Sequence, residues 1–118
     1  RYCSASSSSL ERIAIALDAM GLADAFPHVF SAEQVAHGKP APDLFLLAAQ
    51  RMQVDPRHCL VVEDSAHGVR AARAAGMRAV GFLGGQHLRG IEAGHAALLR
   101  QCGAERAVAT LDAVLQTE

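Results

Sequence analysis

The chain has 118 residues, 51% hydrophobic and 19% charged, with a formal net charge of -1, which are the proportions of a globular domain able to bury a core of its own. That balance carries no electrostatic footprint for nucleic acid or an anionic membrane, and no apolar run approaches the ~20 residues that span a bilayer. Cys3, Cys59 and Cys102 are odd in number and lack CxxC spacing, which argues against a disulfide or zinc framework and fits buried thiols in a reducing compartment, the cytoplasm.

Taken in order, the chain opens at Arg1 with no charged-then-apolar leader, so no signal peptide is expected in it. A short apolar segment ends in the serine cluster Ser4-Ala5-Ser6-Ser7-Ser8-Ser9. Leu10, Ile13, Leu17 and Met20 then recur at helical spacing until Gly21, predicting a helix from about Ser9 to Met20. The serines precede that helix start. They read either as ordinary capping or as hydroxyls beside free N–H groups in an anion site.

Phe26 to Ser31 reads as a turn and a short strand. From Glu33 to Pro42 the chain holds Gly38, Pro40 and Pro42, which exclude regular structure there. Lys39 sits inside this stiffened loop and is the single lysine among eleven basic side chains. Pro42-Asp43 opens the next helix, with Pro in its first turn and a buried stripe at Leu44, Leu47, Ala48 and Met52. Val54-Asp55-Pro56 turns the chain toward Cys59.

At Cys59-Leu60-Val61-Val62 a short apolar run with β-branched residues reads as a strand buried on both faces, and it runs straight into Glu63 and Asp64. Carboxyl ends of parallel strands form the ligand crevice of such sheets, so the acid pair stands at its lip. Two carboxylates ~4 Å apart repel by about 1 kcal/mol in water and about 4 kcal/mol at an effective dielectric of 20. A cation would relieve that, and hard oxygen donors suit Mg²⁺. The plainer alternative is that Asp64 or Ser65 caps the following helix.

That helix carries Val69, Ala72 and Ala75 on one side and ends at Gly76. Met77 to Leu83 reads as a strand, Leu88 to Cys102 as a helix stopped by Gly103, Arg106 to Ala109 as a last short strand, and Leu111 to Gln116 as a short helix. Strands alternating with helices predict parallel βα units in an open, three-layered α/β domain. Ser, Lys and Glu-Asp then gather at one sheet edge, offering hydroxyl and N–H donors, one positive charge and carboxylates, the elements of a phosphoryl site. Among the histidines, His67 lies three residues after Asp64 on the same helix, a spacing metal ligation could use, and His37 lies near Lys39, where it could line the mouth of the site. A solvent-facing role is the commoner one, and His28, His58, His87 and His95 have no distinguishing context. Gly84-Gly85-Gln86-His87 reads as a turn.

Cys3 to Arg12, Gly38-Lys39-Pro40-Ala41-Pro42-Asp43-Leu44-Phe45, Val61-Val62-Glu63-Asp64-Ser65-Ala66-His67-Gly68-Val69 and Ala74-Ala75-Gly76-Met77 together resemble the haloacid dehalogenase superfamily, in its branch of β-phosphoglucomutase-like and sugar-phosphate phosphatase-like enzymes. The resemblance covers nearly the whole chain. It implies a three-layer Rossmann-like core with a parallel sheet. Ser6 resembles the second-motif Ser/Thr that holds a phosphoryl oxygen, with the Ser7 N–H beside it and Ser4 as the rival position. Lys39 resembles the third-motif Lys that neutralises nucleophile and phosphoryl charge, and Glu63 and Asp64 resemble the fourth-motif acids that bind Mg²⁺.

One departure stands out. The family's nucleophile lies in an Asp-x-Asp motif at the end of its first strand, and the aspartates here, Asp18, Asp24, Asp43, Asp55, Asp64 and Asp112, are nowhere spaced by two. By this resemblance residues 1–118 correspond to the C-terminal portion of such a core, incomplete in that the first strand and the cap domain are not in the chain. In the resembled fold that strand lies between the one near Ala5 and the one ending at Glu63. The implied mechanism belongs to the complete protein: an Asp carboxylate attacks phosphorus, charge is spread by Lys39 and bound Mg²⁺, and water hydrolyses the aspartyl-phosphate.

The expected activity is thus a Mg²⁺-dependent phosphatase acting on a small phosphorylated metabolite such as a sugar phosphate. A phosphoglucomutase-type enzyme would use the same core with a different cap. A true dehalogenase needs no metal, which Glu63-Asp64 argues against. A phosphoacceptor receiver domain has its acid pair first and its Lys last, the reverse of this order. A non-catalytic binding module is the alternative if the chain is natively this short. No feature of the sequence specifies an oligomeric state.

Overall fold

The computed structural model describes residues 2–7, 9–19, 21, 28–84, 90 and 92–110. Strands and helices alternate along them: β1 (Ser4–Ser6), α1 (Leu10–Ala19), β2 (Val29–Ser31), α2 (Asp43–Met52), β3 (Leu60–Glu63), α3 (Ala66–Ala74), β4 (Arg78–Phe82), α4 (Glu92–Gln101) and β5 (Ala107–Val108). Every strand pair is parallel, and the strands fall into a two-stranded sheet, β1-β2, and a three-stranded sheet, β3-β4-β5. The α/β class with parallel sheets is the one the alternation predicts. The expected helix Leu111–Gln116, most of the Gly84–His87 turn, and Ser8, Met20 and Leu88 lie outside the described residues.

Local chemistry sets the element ends. Ser65, in extended conformation, caps α3 by accepting the Gly68 N–H on its Oγ at 3.0 Å. At the other end Gly76 takes φ +80, so the Gly76 N–H donates to the Arg73 carbonyl and the Met77 N–H to the Ala72 carbonyl. Those two bonds satisfy carbonyls that the end of the helix would otherwise leave open. The left-handed turn also aims the chain directly into β4.

The core forms where small residues let elements approach closely. Val69, Ala71 and Ala72 of α3 are fully buried and cluster with Ala79 of β4, Leu99 of α4 and Phe45 and Ala49 of α2. Gly81 belongs to this arrangement, since a Cβ there would stand 2.7 Å from the Leu99 Cδ1. Side chains on the other face of the same sheet, Val80 and Val108 with Leu60 and Phe82, form a separate cluster. Apolar side chains on both faces are the mark of a sheet enclosed between layers. Around β2, Phe30, Leu44 and Ala48 make a further cluster with Cys3, Ala5 and Val35.

Four expectations need correction. β3 is not buried on both faces: Leu60 and Val61 are partly buried and Val62 is 39% exposed, lying on the edge that has no strand partner among the described residues. Phe45 joins the buried stripe of α2, and Leu47 and Met52 are only partly buried. The stretch 33–42 is not wholly irregular: Ala32–Gln34 form a 3-10 turn. Buried Ser31 closes it, its Oγ accepting the Glu33 N–H at 3.1 Å while Gln34 Oε1 accepts the Ser31 N–H at 2.9 Å, a reciprocal cap that precedes the prolines and is untouched by them. Of the α1 stripe, Ile13 is buried but Leu10, in the first turn, is 43% exposed.

Among the described residues neither β1 nor β3 pairs with a strand on its remaining edge. The Ser4 N–H donates to His28 on the β2 side, so by alternation the Ala5 amide groups face away from β2. Likewise the Cys59 carbonyl accepts from Arg78 on the β4 side, which turns the backbone of Leu60 and Val62 to the opposite edge. Tyr2, Cys3 and Ala5 on one side and Cys59 to Glu63 on the other line a cavity of about 320 Å³, floored by Phe45, Ala48 and Ala49.

Candidate functional site

Lys39 organises the carboxyl ends of the strands. It leaves a loop containing Gly38, a cis Lys39–Pro40 peptide and Pro42, and its Nζ donates to Glu63 Oε2 at 2.8 Å and to the Ala5 carbonyl at 3.3 Å. The ammonium also stands 4.9 Å from the centre of the Phe45 ring, close enough for attraction to the ring face. Only 10% of the Lys39 side chain and 12% of the Glu63 side chain are exposed. One cation thereby bridges the end of β1, the end of β3 and α2.

Both carboxylate oxygens of Glu63 have partners. While Oε2 receives Lys39, Oε1 accepts the Asp64 N–H at 3.2 Å, the Ser65 N–H at 3.3 Å and the Ser65 hydroxyl at 3.2 Å. The carboxylate therefore lies across the first turn of α3, and a Cβ on Gly68 would overlap it. Gly68 is the residue that leaves room for Glu63. The charge repulsion expected between Glu63 and Asp64 is met here by Lys39 and by backbone donors, and not left for a cation alone.

Asp64 is half-buried in the turn between β3 and α3. Its N–H is held by Glu63, and its carbonyl lies 2.6 Å from His95 Nε2 on α4. Glu63 and Asp64 supply hard carboxylate oxygens, and no group of three or more His, Cys, Asp or Glu side chains is assembled among the described residues. Mg²⁺ keeps several waters and is typically held by one or two carboxylates plus substrate phosphate oxygens. The donor set fits that ion in kind and in number.

Ser6 ends β1 directly after Ala5, whose carbonyl Lys39 contacts, and Ser7 follows it exposed. Ser6, Lys39, Glu63 and Asp64 therefore come to one edge, as the strand order predicts. The helix start behind them is differently used: Ser9 Oγ accepts the Arg12 N–H at 3.2 Å, and Glu33 Oε1 accepts the Leu10 N–H at 2.6 Å. A hydroxyl and a carboxylate thus take the Arg12 and Leu10 N–H groups of the first turn of α1. His67 and His37 are exposed. Phe45, Gly68 and His95 are participants that sequence reasoning missed, and Gly68 alone left a local trace, by falling in the first turn after the acid pair.

Residues 2–76 match the family model described as haloacid dehalogenase-like hydrolase. The chain belongs to this family. It is 57% identical over 61 residues to fructose-1-phosphate phosphatase YqaB of Escherichia coli, a match covering 52% of this chain and 32% of that protein. A haloacid dehalogenase-like structure from Agrobacterium tumefaciens superposes with a TM-score of 0.88 at 40% identity, covering 98% of this chain and 53% of that one. A family hydrolase from Deinococcus radiodurans, solved with bound phosphate and sodium, gives 0.80 at 35% identity over 92% of this chain and 47% of its own. The chain thus spans about half the length of these solved haloacid dehalogenase relatives. No helix among the described residues is long and apolar enough to cross a membrane.

Proposed function

We propose that the chain forms part of the core of a Mg²⁺-dependent cytoplasmic phosphatase that hydrolyses a small phosphorylated metabolite such as a sugar phosphate. The observation that carries this reading is the Lys39 ammonium, held at the carboxyl ends of parallel strands between the Ala5 carbonyl and the Glu63 carboxylate. A fixed positive charge of this kind, little exposed to water, stabilises a developing phosphoryl charge without reorganising. Similarity to a fructose-1-phosphate phosphatase and to a phosphate-bound hydrolase supports the same substrate class.

Each residue then has a task. The Ser6 hydroxyl and the Ser7 N–H hold a phosphoryl oxygen beside Lys39. Glu63 orients Lys39 and, through the Asp64 and Ser65 N–H groups, shapes the turn that presents Asp64. Asp64, with Glu63, holds the divalent cation, which when bound supplies Lewis-acid neutralisation of phosphoryl oxygens. The attacking carboxylate belongs to an Asp-x-Asp motif that these residues do not contain.

The test is phosphate release from a panel of sugar and polyol phosphates by a full-length polypeptide that includes that motif, with and without chelator. Turnover that disappears on chelation and returns with Mg²⁺ is expected, and no release from any phosphomonoester overturns the reading. Residues 1–118 alone should not approach the ~1 s⁻¹ at which enzyme turnover typically begins.

A further inference from the structure

We propose that His95 is a positioning residue for Asp64, holding the acid-bearing turn by a hydrogen bond that reaches across from α4. The inference rests on the reading of Asp64 as a cation ligand. His95 Nε2 lies 2.6 Å from the Asp64 carbonyl oxygen, a contact made between residues 31 apart in the chain. A carbonyl only accepts, so Nε2 carries the proton in this contact whatever the state of Nδ1.

The donor comes from a well-anchored element. Next to half-buried His95, Ala96 is 5% exposed and Leu99 is fully buried against α3 and β4. Gly81 admits Leu99 by lacking a side chain, so α4 sits close to the sheet and His95 is set at a defined height above the end of β3.

The consequence is that Asp64 is gripped through both of its peptide groups. Glu63 Oε1 takes the N–H at 3.2 Å, and His95 takes the carbonyl. With both peptide planes fixed, the direction in which the Asp64 Cβ leaves the backbone is fixed as well. The carboxylate is presented to a cation in advance of binding. The Glu63 half of this grip depends on Gly68, and the His95 half depends on α4, so two separate elements converge on one residue.

Mn²⁺ alone is a suitable probe, its binding to the full-length polypeptide read by electron paramagnetic resonance, which needs no turnover. Outer partners of metal ligands typically contribute about 10–100-fold to affinity, and His95→Ala should weaken Mn²⁺ binding by about that factor. His95→Gln, whose amide N–H₂ can reach the same carbonyl, should restore affinity to within about threefold, whereas Asp64→Asn should abolish it. Unchanged affinity in His95→Ala, with Asp64→Asn abolishing binding, overturns the positioning role and leaves the ligand assignment standing. Loss in both His95 variants also overturns it, because it assigns the effect to the ring's packing. Mn²⁺ affinity untouched by Asp64→Asn removes both readings together.

Discussion

Lys39 Nζ lies 2.8 Å from Glu63 Oε2, and this pair joins the loop after β2 to the end of β3 across 24 residues of sequence. Because both side chains are about nine-tenths buried, neither charge is well solvated without the other. Removing one partner of such a pair leaves an uncompensated buried charge, which costs about 3–5 kcal/mol.

Lys39 substitutions should therefore act on stability and on catalysis together, and the two must be separated. In the full-length polypeptide Lys39→Ala should lower kcat by about 10²–10³, the cost of one preorganised electrostatic donor. Lys39→Arg restores the charge but not its compact shape, and should rescue only partly. Paired with Glu63→Gln, the double variant should recover stability relative to either single variant, while kcat stays low. Equal kcat for Lys, Arg and Ala at position 39 removes the role.

Gly68→Ala tests how tightly the Glu63 carboxylate is seated. A methyl there overlaps the carboxylate, so Glu63 must move away from Lys39 or α3 must shift, at about 1–3 kcal/mol for overpacking. A lowered midpoint in urea and a higher Mg²⁺ requirement are expected. A variant with unchanged midpoint would mean that Glu63 has another resting place of equal energy.

Asp64→Asn keeps the size of the side chain and removes its charge. The Mg²⁺ concentration for half-maximal activity of the full-length polypeptide should rise by at least about 10-fold, while the Glu63 contacts to the backbone remain. An unchanged metal requirement returns the acid pair to the helix-capping reading, which Ser65 already fulfils in this structure.

What was legible in the sequence, and what was not, follows from the range of the interactions. Alternating apolar runs, the stop at Gly76 and the acids at the end of β3 are local, and each leaves its mark within a few neighbouring residues. The gathering of Ser6, Lys39 and Glu63 at one edge follows from parallel strands alone. What Lys39 does there is not local: its partners Ala5, Phe45 and Glu63 come from separate elements. His95 carries no signal at all in its own helix, since its partner is a backbone carbonyl that any residue could provide. Glu33, which takes the Leu10 N–H at the start of α1, arrives from 23 residues away and leaves no trace in the serine run.

Cys3 and Cys59 give a pH-dependent readout of the cavity they line. Burial raises the Cys3 thiol, with Cys59 nearby adding to it. Cys59 is raised by burial and then by the negative charge of Asp55. A raised pKa means less thiolate at a given pH, and the thiolate is the reacting form. In the full-length polypeptide, alkylation of both by iodoacetamide should therefore lag behind a free thiol at pH 8, and its rate should climb at a pH above that thiol's own midpoint. Rates at pH 8 equal to those of free cysteine would contradict the enclosed positions.

The cavity between β1 and β3 makes a further prediction about the 118 residues on their own. Both of its walls are strand edges without a strand partner among the described residues, and its floor is apolar, with Phe45, Ala48 and Ala49 beneath. A parallel strand seated there would pair with both edges and turn two sheets into one. Left open, the edges lose those pairings, and each buried unsatisfied backbone group costs roughly 1–3 kcal/mol against a total domain stability of about 5–15 kcal/mol. Exposed edges are also templates for pairing between chains. The 118-residue chain by itself should then unfold without a cooperative transition or self-associate, whereas a polypeptide that supplies the extra strand should unfold sharply and protect Cys3 and Cys59 from alkylation. Urea unfolding of the isolated chain at low concentration, with its mass followed by light scattering, decides the matter. A sharp transition from a dilute monomer would show that the two sheets are stable with the cavity open, and the seat between β1 and β3 would no longer be that of a strand.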